Sequence, residues 1–160
     1  MNGTGAGGGP AYRRSRTRPH DEDGSATGPT FHLFAYGTLR RAGPASALLD
    51  GCTFVGEAET TGTLYDIKGE YPALMLYGQD TIHGEIWRCP TSRLAELDTW
   101  ERVDDGLFRR VGIEIDSLPC WIYVAGPRLA RRLTPAARLP GGEWLPEQTP
   151  DRTPPQPSAR

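Results

Sequence analysis

Between residues 31 and 126 the chain passes through one short β-rich stretch after another, broken by glycines and separated by only brief helical patterns. The run 31–36 (FHLFAY) reads as a buried strand. Residues 53–67 are β-rich, with Gly56 and Gly62 placed as bulges or bends. Residues 69–78 read as a loop followed by a strand, and 81–89 as another strand. Two more strands, 107–116 and 120–126, flank a turn at 117–119. The helices are few. One covers 44–51, with Pro44 suited to its first turn and Gly51 to its C-terminal cap. Another covers 92–101, with Thr91 as its N-cap, and a last short one covers 127–133. So many strands with so few helices predict an α+β domain, a small mixed β-barrel flanked by two or three short helices. Strict βαβ alternation is missing, and no G-x-G-x-x-G or phosphate loop occurs, which argues against a Rossmann fold.

The β-rich region has sharply different flanks. Residues 1–29 hold seven glycines and almost no large apolar groups, and residues 134–160 hold seven prolines. Neither can bury enough apolar surface to offset the entropy of ordering it. The expected organisation is a disordered tail over 1–29, one domain over 30–133 and a Pro-rich flexible tail over 134–160. The cluster Arg13, Arg14, Arg16 and Arg18 is followed by Asp21, Glu22 and Asp23, which reads as solvated tail.

Charge and cysteine usage narrow the function classes. The net charge is -2, an acidic balance where a nucleic-acid binder would want basic and aromatic residues interleaved on one sheet face, so a nucleic-acid partner is not expected. No apolar stretch approaches membrane-spanning length, and the first residues carry no apolar core of a secretory signal. Cys52, Cys89 and Cys120 are odd in number, widely spaced and free of any CxxC. They predict free thiols in a reducing cytoplasm, with neither a zinc site nor a disulfide framework. A monomer or weak dimer is expected.

Two features carry chemistry. On the helix at 92–101, Leu94, Leu97 and Glu101 fall on one stripe at roughly 100° per residue. Glu96 faces the other way and is an ordinary solvated charge. A carboxylate aimed inward must be paired, hydrogen-bonded or protonated. Burial raises its pKa and suits it to general acid–base work. Two plainer readings stand beside this one: an ion pair with Arg109 or Arg110, or a helix that ends early and releases Glu101 to water. Asp98, one turn earlier, reads as a structural residue bonding the backbone of the next loop. The second feature is Gly37-Thr38 at the end of the first strand. A glycine there allows consecutive main-chain N–H groups to converge on a carboxylate or phosphate, with the Thr38 hydroxyl as a further donor. The plain alternative is a bend that only turns the chain.

Five blocks in order, AYGTLRR, GTLYDIKGEYPAL, HGEIWRC, LAELDTWERVDDGLFRR and CWIYVAG, span residues 35–126 and resemble the gamma-glutamylcyclotransferase-like family. GGEW at 141–144 resembles a small-Gly-acidic-Trp element of the family's tail. The resemblance implies a β-barrel with a substrate pocket at one mouth and no metal or organic cofactor. It implies that Tyr36, Gly37, Thr38 and Leu39 hold the carboxylate of a small-molecule gamma-glutamyl amine, and that Glu101 is the acid–base group. It implies cyclisation of the gamma-glutamyl group to pyroglutamate with release of a free amine, or, in a silent member, small-molecule binding alone. Tyr71 and Tyr123 are candidate pocket walls or hydroxyl donors, and both suit barrel packing equally. The chain departs from the family pattern at Ala45 and Ser46, at Phe108 in place of a tyrosine, and at Arg102 in place of a glycine.

Overall fold

The computed structural model describes residues 28–41 and 43–145. Five strands form one sheet: β1 (Thr30–Ala35), β2 (Thr53–Ile67), β3 (Tyr71–Pro90), β4 (Phe108–Ile115) and β5 (Leu118–Ala125). Between β3 and β4 lies α1 (Leu94–Trp100), and after β5 comes α2 (Pro127–Ala130). The strand order is β2-β3-β1-β5-β4. Only the β1–β5 pairing is parallel, so the sheet is mixed.

Turn chemistry sets the hairpins. Lys68 and Gly69 have φ of 57° and 74°, and Glu70 N–H closes on Ile67 O at 2.9 Å, which makes the β2–β3 connection a two-residue left-handed turn. Asp116 and Ser117, at φ 51° and 71°, do the same between β4 and β5, one residue earlier than the expected turn. The two glycines of β2 mark its irregularities: the register with β3 shifts between Phe54 and Gly56 and again between Gly62 and Thr63. The second shift absorbs the region around Gly78. What reads as two segments, 69–78 and 81–89, is therefore one continuous strand with a bulge, tied by the Thr63 hydroxyl to Tyr77 O at 2.8 Å.

Side chains alternate between two cores. Leu33, Ala35, Tyr123 and Ala125 face one side, where Leu97 of α1, Leu129 of α2 and Leu49 cover them. Phe34, Ile122 and Val124 face the other, with Leu64, Leu74, Ile82 and Trp144. Burial on both faces explains why β1 and β5 are near-continuous apolar runs.

The expected barrel is not closed. β2 and β4 are the sheet's edges, and no strand pairing joins them. β4 has only 8 residues and is matched along its whole length by β5. The segment after residue 133 packs against β2 and β3 instead. Leu139 N–H bonds Leu64 O at 2.8 Å, Arg138 bridges Tyr65, and His83 N–H bonds Gly142 O at 2.9 Å. Gly142, at φ 71°, comes so close to Thr81 that a Cβ would collide with its carbonyl oxygen. Trp144 is 2% exposed and its indole donates to Asp66 Oδ1 at 2.8 Å. Residues 134–145, expected in a flexible tail, are thus part of the packed domain. One buried tryptophan and a few main-chain bonds outweigh a proline-rich composition. Apart from Gly28 and Pro29, the remainder of both expected tails lies outside the described residues.

The helices are shorter than expected. The segment 44–51 holds one 3-10 turn, Ser46–Leu49, and residues 91–93 form another before α1, without a side-chain cap from Thr91. Cys52, Cys89 and Cys120 are free thiols.

Candidate active site

A cavity of about 320 Å³ opens where the C-terminal end of β1, the β2–β3 hairpin and the end of α1 meet. That is within the usual range for small-ligand sites. Tyr36, Gly37, Thr38, Leu39, Tyr71, Glu101 and Tyr123 all line it. The sequence reading singled out these seven from segments far apart in the chain, and the fold brings them to one space.

The chain leaves the sheet after Ala35, and Gly37 packs on Pro72 of β3. A Cβ at residue 37 would lie within 2.7 Å of Pro72 Cδ and closer still to Cγ. The turn is closed from inside by Arg40 N–H to Gly37 O at 3.0 Å and Ala45 N–H to Thr38 O at 2.8 Å. The N–H groups of Thr38 and Leu39 donate to no partner among the described residues. Main-chain N–H groups left without a protein partner at a cavity wall are chemically suited to receive an anion.

On the opposite wall, α1 ends at Trp100 and Glu101 is its C-cap, with its N–H on Leu97 O at 2.9 Å. The helix does end early, yet Glu101 lines the cavity and is half-buried. Neither Arg109 nor Arg110 pairs with it. Burial pushes the Glu101 carboxyl up to about 8, and the neighbouring Asp98 charge adds to the shift.

Asp98 does something other than the expected backbone contact. Its carboxylate accepts Arg110 Nε–H at 2.8 Å and Nη2–H at 2.9 Å, and the Tyr123 hydroxyl at 2.7 Å. The Arg110 bonds, with help from Tyr123, hold Asp98 below the usual carboxylate range. This triad was missed in the sequence. Arg110 and Tyr123 are cross-strand partners in β4 and β5, so an alternation count along both strands would have placed them on one face. Tyr123 thereby presents a bound hydroxyl, with its pKa raised by burial and then by Asp98. The Tyr36 hydroxyl is likewise committed, donating to Tyr123 O at 2.6 Å. Tyr71 stacks edge-on against Phe108 at 5.9 Å between centroids, so both form wall.

Arg102 adopts φ 55°, a left-handed conformation that terminates α1. An L side chain pays for this conformation by about 1–2 kcal/mol. The Arg102–Asp105 ion pair, 2.9 Å but solvent-exposed, offsets little of that. Arg102→Gly is expected to stabilise the fold by about 0.5–1 kcal/mol, because glycine removes that strain at a smaller entropic cost. The urea midpoint at fixed pH checks it.

Among the described residues no group of three or more His, Cys, Asp or Glu side chains could hold a metal ion, and no helix is long and apolar enough to cross a membrane.

Residues 33–146 match the family model "Gamma-glutamyl cyclotransferase, AIG2-like". The gamma-glutamylcyclotransferase family protein YtfP of Escherichia coli K12 is 30% identical over 113 residues, 71% of this chain and 95% of that protein. The solution NMR structure of ytfP from Escherichia coli has a TM-score of 0.57 at 29% identity, covering 74% of this chain and 100% of that one. The crystal structure of an AIG2-like protein from Mus musculus shares the fold, with a TM-score of 0.55 at 24% identity over 63% of this chain and 82% of that one.

Proposed function

The chain belongs to the gamma-glutamyl cyclotransferase, AIG2-like family, and on that premise we propose that it cyclises the gamma-glutamyl group of a small-molecule gamma-glutamyl amine to pyroglutamate and releases the amine. The observation that carries this reading is that one cavity is lined both by Thr38 and Leu39, whose amides have no partner among the described residues, and by a Glu101 carboxyl that burial pushes up to about 8.

In the proposed reaction the substrate's α-carboxylate sits on the Thr38 and Leu39 N–H groups, with the Thr38 hydroxyl as a third donor. That folds the gamma-glutamyl chain so that its α-nitrogen meets its own γ-carbonyl, and such positioning supplies much of the rate of a ring closure. Ionised Glu101 takes a proton from the α-ammonium group. The freed nitrogen attacks the γ-carbonyl carbon and forms the lactam bond. The bond to the leaving nitrogen breaks as that nitrogen is protonated. Two protons pass in all from the α-nitrogen to the leaving nitrogen, one ahead of attack and one as the bond breaks, and no electrons are exchanged. A carboxyl with a pKa near 8 serves both directions at neutral pH. The reaction needs no metal or organic cofactor. Asp98 has a supporting part: held ionised by Arg110, it keeps the Glu101 proton affinity high.

Incubation with a panel of gamma-glutamyl amino acids, gamma-glutamyl-ε-lysine and simple gamma-glutamyl amines, read by mass spectrometry for pyroglutamate, tests the proposal. Pyroglutamate from at least one member is expected. No turnover with saturable binding of the same compounds would make the protein a binding module and overturn it.

A further inference from the structure

Glu85 is a buried charge that the proposed reaction does not use. It lies in β3 opposite Ala35 of β1 and Glu57 of β2, and is 4% exposed. Its Oε1 accepts the main-chain N–H of Arg41 at 2.9 Å and the Trp87 indole N–H at 3.1 Å. Its Oε2 lies 3.7 Å from Nε of Arg40. Arg40 in turn reaches Glu143 at 3.4 Å, and its Nη1 is buried without a partner among the described residues. Apart from the indole, everything Glu85 holds belongs to the two residues that follow the turn at 37–39.

The position explains the need. The pairing of β1 with β3 ends at Ala35–Glu85, so from residue 36 onward the sheet ladder no longer fixes the chain. The turn's own bonds close it upon itself but do not attach it to the sheet. A charge-assisted bond from a buried carboxylate to the Arg41 N–H is that attachment, and such bonds are about twice as strong as neutral ones.

We infer that Glu85 is the positioning residue of this turn: its bond to the Arg41 N–H holds residues 37–41 on β3, keeping the Thr38 and Leu39 amides aimed into the cavity. The inference rests on the reading of that turn as a carboxylate site.

Two conservative variants separate reach from charge. Glu85→Asp keeps the charge but falls short of the Arg41 N–H, whereas Glu85→Gln keeps the acceptor and loses the charge. Glu85→Asp is expected to raise KM about tenfold with kcat within about threefold of wild type, the size of one lost charge-assisted bond. The midpoint of the pH–rate profile stays in place, since Glu101 is untouched. Glu85→Gln stays within about threefold in KM, its amide oxygen replacing the carboxylate as acceptor. Unchanged KM in Glu85→Asp, or the reverse order of the two variants, overturns the inference. Amide hydrogen exchange at Arg41 and the Thr38 and Leu39 amide resonances are read in the same proteins without substrate. Protection at Arg41 is expected to fall in Glu85→Asp and persist in Glu85→Gln. Should the wild type release no pyroglutamate, the carboxylate reading fails by itself. The exchange data then decide Glu85, and unchanged Arg41 protection in Glu85→Asp sinks the inference.

Discussion

Glu101→Gln is expected to lower kcat for pyroglutamate release by about 10²–10⁴-fold, the usual contribution of a positioned acid–base group, while the protein stays folded. Glutamine fills the same volume at the end of α1 but cannot carry a proton from one nitrogen to the other. The pH dependence is part of the same expectation. With the carboxyl pushed up to about 8, the ionised fraction rises about tenfold per pH unit below that value, so kcat/KM of the wild type climbs from pH 6 and levels near pH 8. Stability runs the opposite way. A carboxyl whose folded pKa exceeds its unfolded value of 4.5 binds more protons in the native state between those limits. Its contribution to stability is full below about 4.5 and is lost as pH rises through about 8. The Gln variant lacks that loss, so relative to wild type it gains stability between pH 5 and pH 9. Thermal melts across that range check the sign, and a folded Gln variant with wild-type turnover removes Glu101 from the chemistry.

Gly37→Val is expected to raise KM about 10–100-fold, equivalent to the loss of one or two charge-assisted hydrogen bonds. A side chain at residue 37 meets the Pro72 ring, with the Cβ alone within 2.7 Å of Cδ. Pro72 is buried and paired with Asp66 across the β2–β3 hairpin, so the turn yields rather than the proline. The Thr38 and Leu39 amides then leave their alignment. The effect falls on KM because the α-carboxylate keeps its charge from substrate through transition state, so its contacts are nearly uniform along the reaction. Initial-rate kinetics, with circular dichroism to show retained structure, decide the matter. Unchanged Michaelis behaviour in the folded variant rules out the amide cradle.

Local chemistry was legible in the sequence. The bounds of β2, its two bulges at glycines and the places of β1, β4 and β5 followed from alternation, β-branched content and glycine punctuation, all of which act over a few residues. Glu101 stood out because a charge on an apolar stripe is an energetic conflict visible in one helix. Three misreadings share a different character. The barrel closure, the packing of Trp144 and the partner of Asp98 each depend on segments distant in the chain: the edges β2 and β4, the strand β2 with the segment after residue 133, and α1 with β4 and β5. Residues 69–89 divided into two strands for the same reason, since a glycine in a bulge and a glycine at a strand end look alike until the partner strand is known.

The sequence by itself determined where β1, β2, β4 and β5 run, where β2 bends and which carboxyl conflicts with an apolar stripe, because propensity and periodicity are properties of neighbours along the chain. Only the tertiary structure decided that the sheet stays open, that the segment carrying Trp144 packs on β2 and β3, that Arg110 belongs to Asp98 and leaves Glu101 unpaired, and that Glu101 and the turn at 37–39 line one cavity. Those outcomes depend on which distant groups compete for the same buried space and the same hydrogen bonds.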